Sequence, residues 1–187
     1  MWHSRAIATR CGAIGALLAL TVAPASAPAK VFLSRAEALT WAFPDAYAVE
    51  SETHILTDAQ VARVKSLSGA QLDSKLVTVY TGRRGDAVLG HAFLQMHTVR
   101  TQSEAFLVVI SPEGRVERLR MLAFHEPLEY LPPERWLDQF EGVGDDAPLR
   151  VSRDIHGLAG STLSANAVTR GVRGALALYR VLVRGEE

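Results

Sequence analysis

Cysteine is nearly absent from this sequence, since Cys11 is the only one among 187 residues. Because it lies in a segment that we predict to be removed, the remaining chain has no thiol for a disulfide, a thiolate metal site or a nucleophile. The chain also lacks an excess of charge of either sign, with 20 basic and 20 acidic residues. Balanced charge creates no long-range field for nucleic acid, so we expect no nucleic-acid partner.

Familiar catalytic motifs are missing as well. The sequence contains no GxSxG elbow and no HExxH pair, and neither GxGxxG nor GxxxxGKS/T occurs. These absences argue against a serine hydrolase of that type and against the common nucleotide-binding loops. His91 and His97 share a predicted strand face, but six residues of strand separate them by roughly 20 Å. One metal ion cannot bridge that distance, so we predict no metal site.

The N-terminal apolar run is short. Residues 11–23, CGAIGALLALTVA, give about thirteen apolar or small residues, whereas a membrane-spanning helix needs roughly twenty. A basic stretch precedes this run and the small residues PASAPA follow it, which is the order typical of a secretory signal. We therefore predict a signal peptide over residues 1–29, cleaved near Ala27 or Ala29, and an exported, periplasmic protein. A retained membrane anchor is the alternative.

Capping boxes mark two short helices after this segment. Ser34 and Glu37 form the first box, and Thr57 and Gln60 form the second. We predict that the helices end near Phe43 and Gly69, with a connector over residues 45–56. Residues 30–69 are thus assigned to an N-terminal helical segment and residues 70–187 to the main domain.

The main domain begins with four strand patterns separated by turn signals, at residues 76–81, 87–100, 104–110 and 115–124. Short spacings of this kind, such as the turn over residues 82–85, favour antiparallel hairpins. A short helix over residues 133–140 and a long C-terminal helix over residues 164–183 follow. We predict an α+β fold in which an antiparallel sheet is packed by the C-terminal helix, with two short N-terminal helices.

Residues 154–164, DIHGLAGSTLS, combine glycines and hydroxyl residues just before the long helix. A phosphate attached to Thr162 would meet the unpaired amides and the positive end of the helix dipole. The same residues also suit a plain helix start, in which Thr162 or Ser164 accepts hydrogen bonds from those amides. The residues alone leave both explanations open.

This stretch resembles the attachment motif of the FMN-binding domain family, which occurs in subunits of sodium-pumping NADH:quinone reductase and of Rnf electron-transport complexes. The family motif is an Asp, three or four variable residues, and then Ser/Thr-Gly-Ala-Thr. Asp154, Gly160 and Thr162 match it, while Ala159 replaces Ser/Thr and Ser161 replaces Ala.

The resemblance implies an electron-transfer flavoprotein that exchanges electrons with a membrane-bound redox partner. It implies that Thr162 receives FMN as a phosphoester from a flavin transferase that uses FAD, and that the transferase recognises Asp154. Ser161 is a rival acceptor. Two other functions stay open, namely a noncovalent FMN-binding or regulatory module and a flavin enzyme with its own substrate.

The resemblance extends to residues 125–140, where Trp136 or Phe140 is expected to stack on the isoalloxazine. Arg170 or Arg173 is expected near the phosphate or the ring carbonyls. The predicted cofactor-binding residues are therefore Thr162, Asp154, Gly160, Ser161, Ser164, Trp136 and Arg170.

Overall fold

The computed structural model describes residues 30–99 and 102–186, so the predicted signal peptide lies outside the described residues. Its centre is a six-stranded antiparallel sheet in the order β1-β6-β5-β4-β3-β2. The strands are β1 (Lys30–Val31), β2 (Ala48–Ile55), β3 (Leu76–Arg84), β4 (Ala87–Val99), β5 (Gln102–Ile110) and β6 (Val116–Phe124). The helices are α1 (Arg35–Ala42), α2 (Asp58–Ser68), α3 (Glu134–Leu137) and α4 (Thr162–Leu178), which continues into a π-helical turn, Tyr179–Val183. The predicted α+β fold is confirmed.

The two N-terminal helices begin as predicted. Ser34 and Thr57 accept hydrogen bonds from the amides of Glu37 and Gln60, and both capping boxes are complete. Helix α2 ends at Gly69, whose φ of 67° is the left-handed conformation that favours glycine. Within the described ranges, no helix has both the length and the apolar composition required to cross a bilayer.

The predicted connector over residues 45–56 is wrong, because most of it is β2. This strand pairs with β3 from Ala48 opposite Arg83 to Ile55 opposite Leu76. It forms one edge of the sheet and almost all of its residues are exposed. Since neither face is covered, the alternation of apolar and polar residues that marks a half-buried strand is missing.

The turn predicted over residues 82–85 is shorter in the structure, because β3 continues to Arg84 and only Gly85 and Asp86 separate it from β4. Gly82 lies within β3 and not in the turn, and it is packed against the Phe43 ring. A Cβ atom at this position would lie 2.5 Å from Cγ of Phe43, so only glycine lets that ring cross the strand.

Helices cover the two faces of the sheet unequally. Helix α1 packs on one face around Tyr80, Leu107 and Val109, whereas the larger core lies between the other face and α4. The α4 residues Val168, Val172 and Ala175 are completely buried. Residues of α4 that are exposed or half-buried form one stripe: Thr162, Leu163, Asn166, Arg170 and Arg173. This stripe is the part of α4 that is most exposed to solvent.

Candidate functional site

Thr162 is the first residue of α4, and it is exposed. Its hydroxyl has no hydrogen-bond partner within the described residues. The two neighbouring hydroxyl residues differ from it, because Ser161 is 5% exposed and Ser164 is 2% exposed. Among these three hydroxyl groups, that of Thr162 is therefore the one that an external enzyme can reach.

The helix start does not use the side-chain cap that the alternative explanation requires. Ser161 is the N-cap residue, but its side chain makes no capping hydrogen bond. Its hydroxyl is instead oriented towards the Glu129 carbonyl, 3.5 Å away. The expectation that Thr162 or Ser164 caps the helix is thus wrong, and the first amides of α4 have no side-chain acceptor.

A pocket of about 160 Å³ lies at this end of the helix. The first backbone hydrogen bond of the helix runs from the Ala165 amide to the Ser161 carbonyl at 3.0 Å, so the amides of Thr162, Leu163 and Ser164 have no partner within the helix. Gly160 lines the same pocket with a φ of 80°, and a Cβ atom there would meet nothing within 4 Å. The first amides of α4, the positive helix end and the open space beside Gly160 suit a phosphate group, although the Glu126 carboxyl lines the same pocket.

Asp154 stabilises a tight loop ahead of the motif. Its Oδ2 accepts hydrogen bonds from the backbone amide of Arg150 at 2.8 Å and from the Arg150 Nε at 3.0 Å. These hydrogen bonds lower the pKa of the Asp154 carboxyl below its ordinary value. The side chain is therefore a charged, exposed carboxylate with a defined orientation.

Trp136 and Phe140 lie in the core, and Trp136 contacts the motif segment through one hydrogen bond. They are 7% and 0% exposed, and their rings make an edge contact with centroids 5.4 Å apart. The Trp136 indole donates a hydrogen bond to the His156 carbonyl at 2.8 Å. Gln139 accepts one from the His156 amide at 2.7 Å. Trp136 thus helps to fix the segment that leads to Thr162. Because both rings are buried in the core, neither is exposed for stacking on a flavin.

Two buried carboxyl groups, those of Glu104 and Glu126, interact electrostatically with each other, and sequence reasoning missed both as buried groups. Glu104 is 1% exposed, and neither of its carboxylate oxygens has a hydrogen-bond partner in the described residues. Glu126 lines the pocket beside Thr162, and its Oε1 likewise has no partner. Burial raises the pKa of Glu104 to about 8, against the effect of Arg170 and assisted by Glu126. The alternation of Glu104 with Phe106 and Val108 along β5 is a sequence signal that identifies it as inward-facing.

Comparison with models of known protein families finds no match to this chain, and a search of curated proteins finds none either. Within the described residues, no three His, Cys, Asp or Glu side chains are grouped so as to hold a metal ion. The class that the fold and site define is therefore a small α+β domain with an exposed, unpaired threonine hydroxyl at the start of a buried helix.

Proposed function

We propose that this protein is an exported electron-transfer flavoprotein that carries FMN joined to Thr162 through a phosphoester. The observation that supports this most directly is the state of the three neighbouring hydroxyl groups. Thr162 is exposed and unpaired, whereas Ser161 and Ser164 are buried. A residue that a separate enzyme must modify needs this accessibility, and a structural capping residue does not.

The transfer reaction is a substitution at phosphorus. The Thr162 Oγ1 attacks the FMN phosphorus of FAD, the pyrophosphate bond breaks, and AMP leaves while the hydroxyl proton passes to a base of the transferase. The resulting phosphodiester has one negative charge. The uncapped amides of α4 and the positive helix end stabilise that charge, and Gly160 leaves room for it. FMN supplies one-electron and two-electron chemistry once attached.

The export of the protein is part of this proposal. The predicted signal peptide would deliver the domain to the periplasm, where a lost flavin is not easily replaced. A covalent link prevents that loss. The electron partner is then a membrane-bound redox protein, and the domain acts as a carrier with no substrate of its own.

The experiment that tests this function distinguishes covalent from noncovalent flavin. The full chain is co-expressed with a flavin transferase, purified from the periplasm and precipitated with acid. We expect the flavin absorbance to remain with the precipitated protein. Flavin that is released quantitatively into the supernatant would instead support a noncovalent FMN-binding or regulatory module.

A further inference from the structure

A second, larger cavity lies where β3 and β4 separate. The two strands pair only as far as Val79 opposite Phe93, and beyond that point β3 continues to pair with β2 while β4 pairs with β5. The separation opens a cavity of about 540 Å³ between the strands and α4, which we call the β3–β4 cleft. Its size is within the range of pockets that bury small ligands.

The β3–β4 cleft combines apolar walls with three polar side chains that have no hydrogen-bond partner. Phe93 and Leu178 contribute to its apolar lining. Gln95 is 9% exposed, and its amide makes no hydrogen bond within the described residues. The Nε2 of His97 is buried without a partner, and Arg170 forms no ion pair in the described part of the chain. Unpaired polar groups in a cavity are unfavourable unless a ligand or water satisfies them.

Two glycines of α4 bring the helix close to these side chains. A Cβ atom at Gly174 would lie 3.6 Å from the Gln95 Oε1, and one at Gly171 would lie 2.5 Å from the His97 Nε2. The two glycines are separated by about 4.5 Å along the helix, and the two strand residues that they face by about 6.7 Å along β4. Arg170 adjoins them on the exposed stripe of α4. Gln95 and Arg170 therefore line one side of the cleft, and His97 lies beside them with its Nε2 packed against Gly171.

The geometry points to the β3–β4 cleft as the binding site of the isoalloxazine ring, an inference that rests on the proposed attachment of FMN to Thr162. The dimethylbenzene end of this ring is apolar, and its pyrimidine end presents carbonyl oxygens and one N–H group. The Gln95 amide both donates and accepts, which matches that pyrimidine edge. The Arg170 guanidinium donates to the carbonyl oxygens and favours the negative charge that reduction places on the ring.

Thr162 is within reach of the cleft. Eight residues of helix separate Thr162 from Arg170, and a rise of 1.5 Å per residue gives about 12 Å between them. Asn166 lies between the two on the same exposed stripe. The phosphate and ribityl chain can therefore follow this stripe from the attachment site to the cleft.

The environment of Arg170 keeps its charge available to a ligand. Glu104 interacts electrostatically with Arg170, but burial raises its pKa to about 8, so this carboxyl is largely protonated at neutral pH. Asp73 also lines the cleft, and it forms no ion pair with Arg170 in the described part of the chain. Burial and Arg170 lower the pKa of His97, which is therefore neutral and does not compete as a cation for the carbonyl oxygens.

The test uses Gly174, which lines the cleft. Gly174→Leu fills the cleft, whereas Gly174→Ala adds a Cβ atom at ordinary contact distances of 3.6 and 3.8 Å and is the matched control. Both substitutions are made in the Thr162→Ala full chain, which has no acceptor hydroxyl at that position. Lumiflavin, an isoalloxazine without ribityl or phosphate, is titrated and its fluorescence followed, with a thermal melt of each variant.

We expect saturable quenching of lumiflavin by Thr162→Ala and by its Gly174→Ala derivative, and at least about tenfold weaker binding by the Gly174→Leu derivative. If the leucine variant does not fold, Gln95→Leu replaces it with the same expected loss. Absence of saturable binding, or equal binding by all variants, overturns the inference.

A second measurement separates this inference from the proposed function. Flavinylated protein with Thr162 intact is exposed to iodide, which quenches the fluorescence of solvent-accessible flavin. We expect greater quenching in Gly174→Leu than in Gly174→Ala. If both variants have FMN on Thr162 and iodide quenches them equally, the inference that the ring binds in the cleft is overturned, while the attachment of FMN to Thr162 still holds. If the protein binds lumiflavin in the cleft but never acquires covalent FMN, the proposed attachment is overturned and the cleft inference stands.

Discussion

Glu104 and His97 face each other as a register pair of β5 and β4, and both have buried side-chain atoms without a hydrogen-bond partner. Such groups are rare in folded proteins because each loses its hydration without compensation. Two further groups interact electrostatically with Glu104, namely Arg170 and Glu126. As a result, the Glu104 carboxyl is protonated in the folded protein at neutral pH, whereas the same carboxyl is ionised in the unfolded chain.

This protonation predicts a pH-dependent stability that Glu104→Gln removes. The pKa of Glu104 is raised from an ordinary 4.5 to about 8, so between these values the folded state binds the extra proton. The contribution of Glu104 to the free energy of unfolding should therefore fall as pH rises through this window, by up to about 1.4 kcal/mol per pH unit. Urea unfolding at pH 5 and pH 8 measures the effect. An identical pH dependence in wild type and Glu104→Gln would show that Glu104 ionises normally.

Two glycines on one helix should respond in opposite ways to alanine. In Gly171→Ala the new Cβ atom would overlap the Phe106 ring, a buried residue with no room to move, so we expect a loss of about 1–3 kcal/mol. In Gly174→Ala the Cβ atom meets only ordinary contacts, so the higher helix propensity of alanine should leave stability equal or up to about 1 kcal/mol higher. Urea unfolding compares the two. Equal destabilisation would contradict the packing of α4 on β5.

Local signals in the sequence were enough to predict much of this fold. The capping boxes at Ser34 and Thr57 depend on residues three positions apart, and both form as the pattern indicates. Strand β2 was not predictable in this way, because an edge strand exposed on both faces has no apolar periodicity. The β3–β4 cleft depends on where two strands stop pairing, which is a property of the sheet and of no single segment.

The candidate site was predictable only in part for the same reason. The motif identifies Thr162, but the burial of Ser161 and Ser164 follows from packing against residues far away in sequence. Trp136 and His156 are similarly joined across 20 positions by one hydrogen bond. The inward position of Glu104 has a local signal, whereas its proximity to Arg170 does not.

Substitution of Asp154 tests whether a flavin transferase recognises the motif. If the transferase recognises the carboxylate, Asp154→Ala should fold and export normally but accumulate largely without flavin. Arg150→Ala is the matched control, because it removes the guanidinium partner and leaves the hydrogen bond from the backbone amide at position 150. Intact mass and thermal melting are measured on the same sample. Equal loss of flavin in both variants would assign Asp154 a role in loop structure alone.

The mass of the peptide that spans residues 154–170 tests the central claim most directly. Trypsin cleaves after Arg153 and Arg170, so this peptide contains all three neighbouring hydroxyl residues. After co-expression with a flavin transferase, we predict the mass increment of one FMN in wild type, Thr162→Ser, Ser161→Ala and Ser164→Ala, and none in Thr162→Ala. An increment that persists in Thr162→Ala and disappears in Ser161→Ala or Ser164→Ala would contradict the assignment of Thr162, and a wild-type peptide without the increment would contradict covalent attachment altogether.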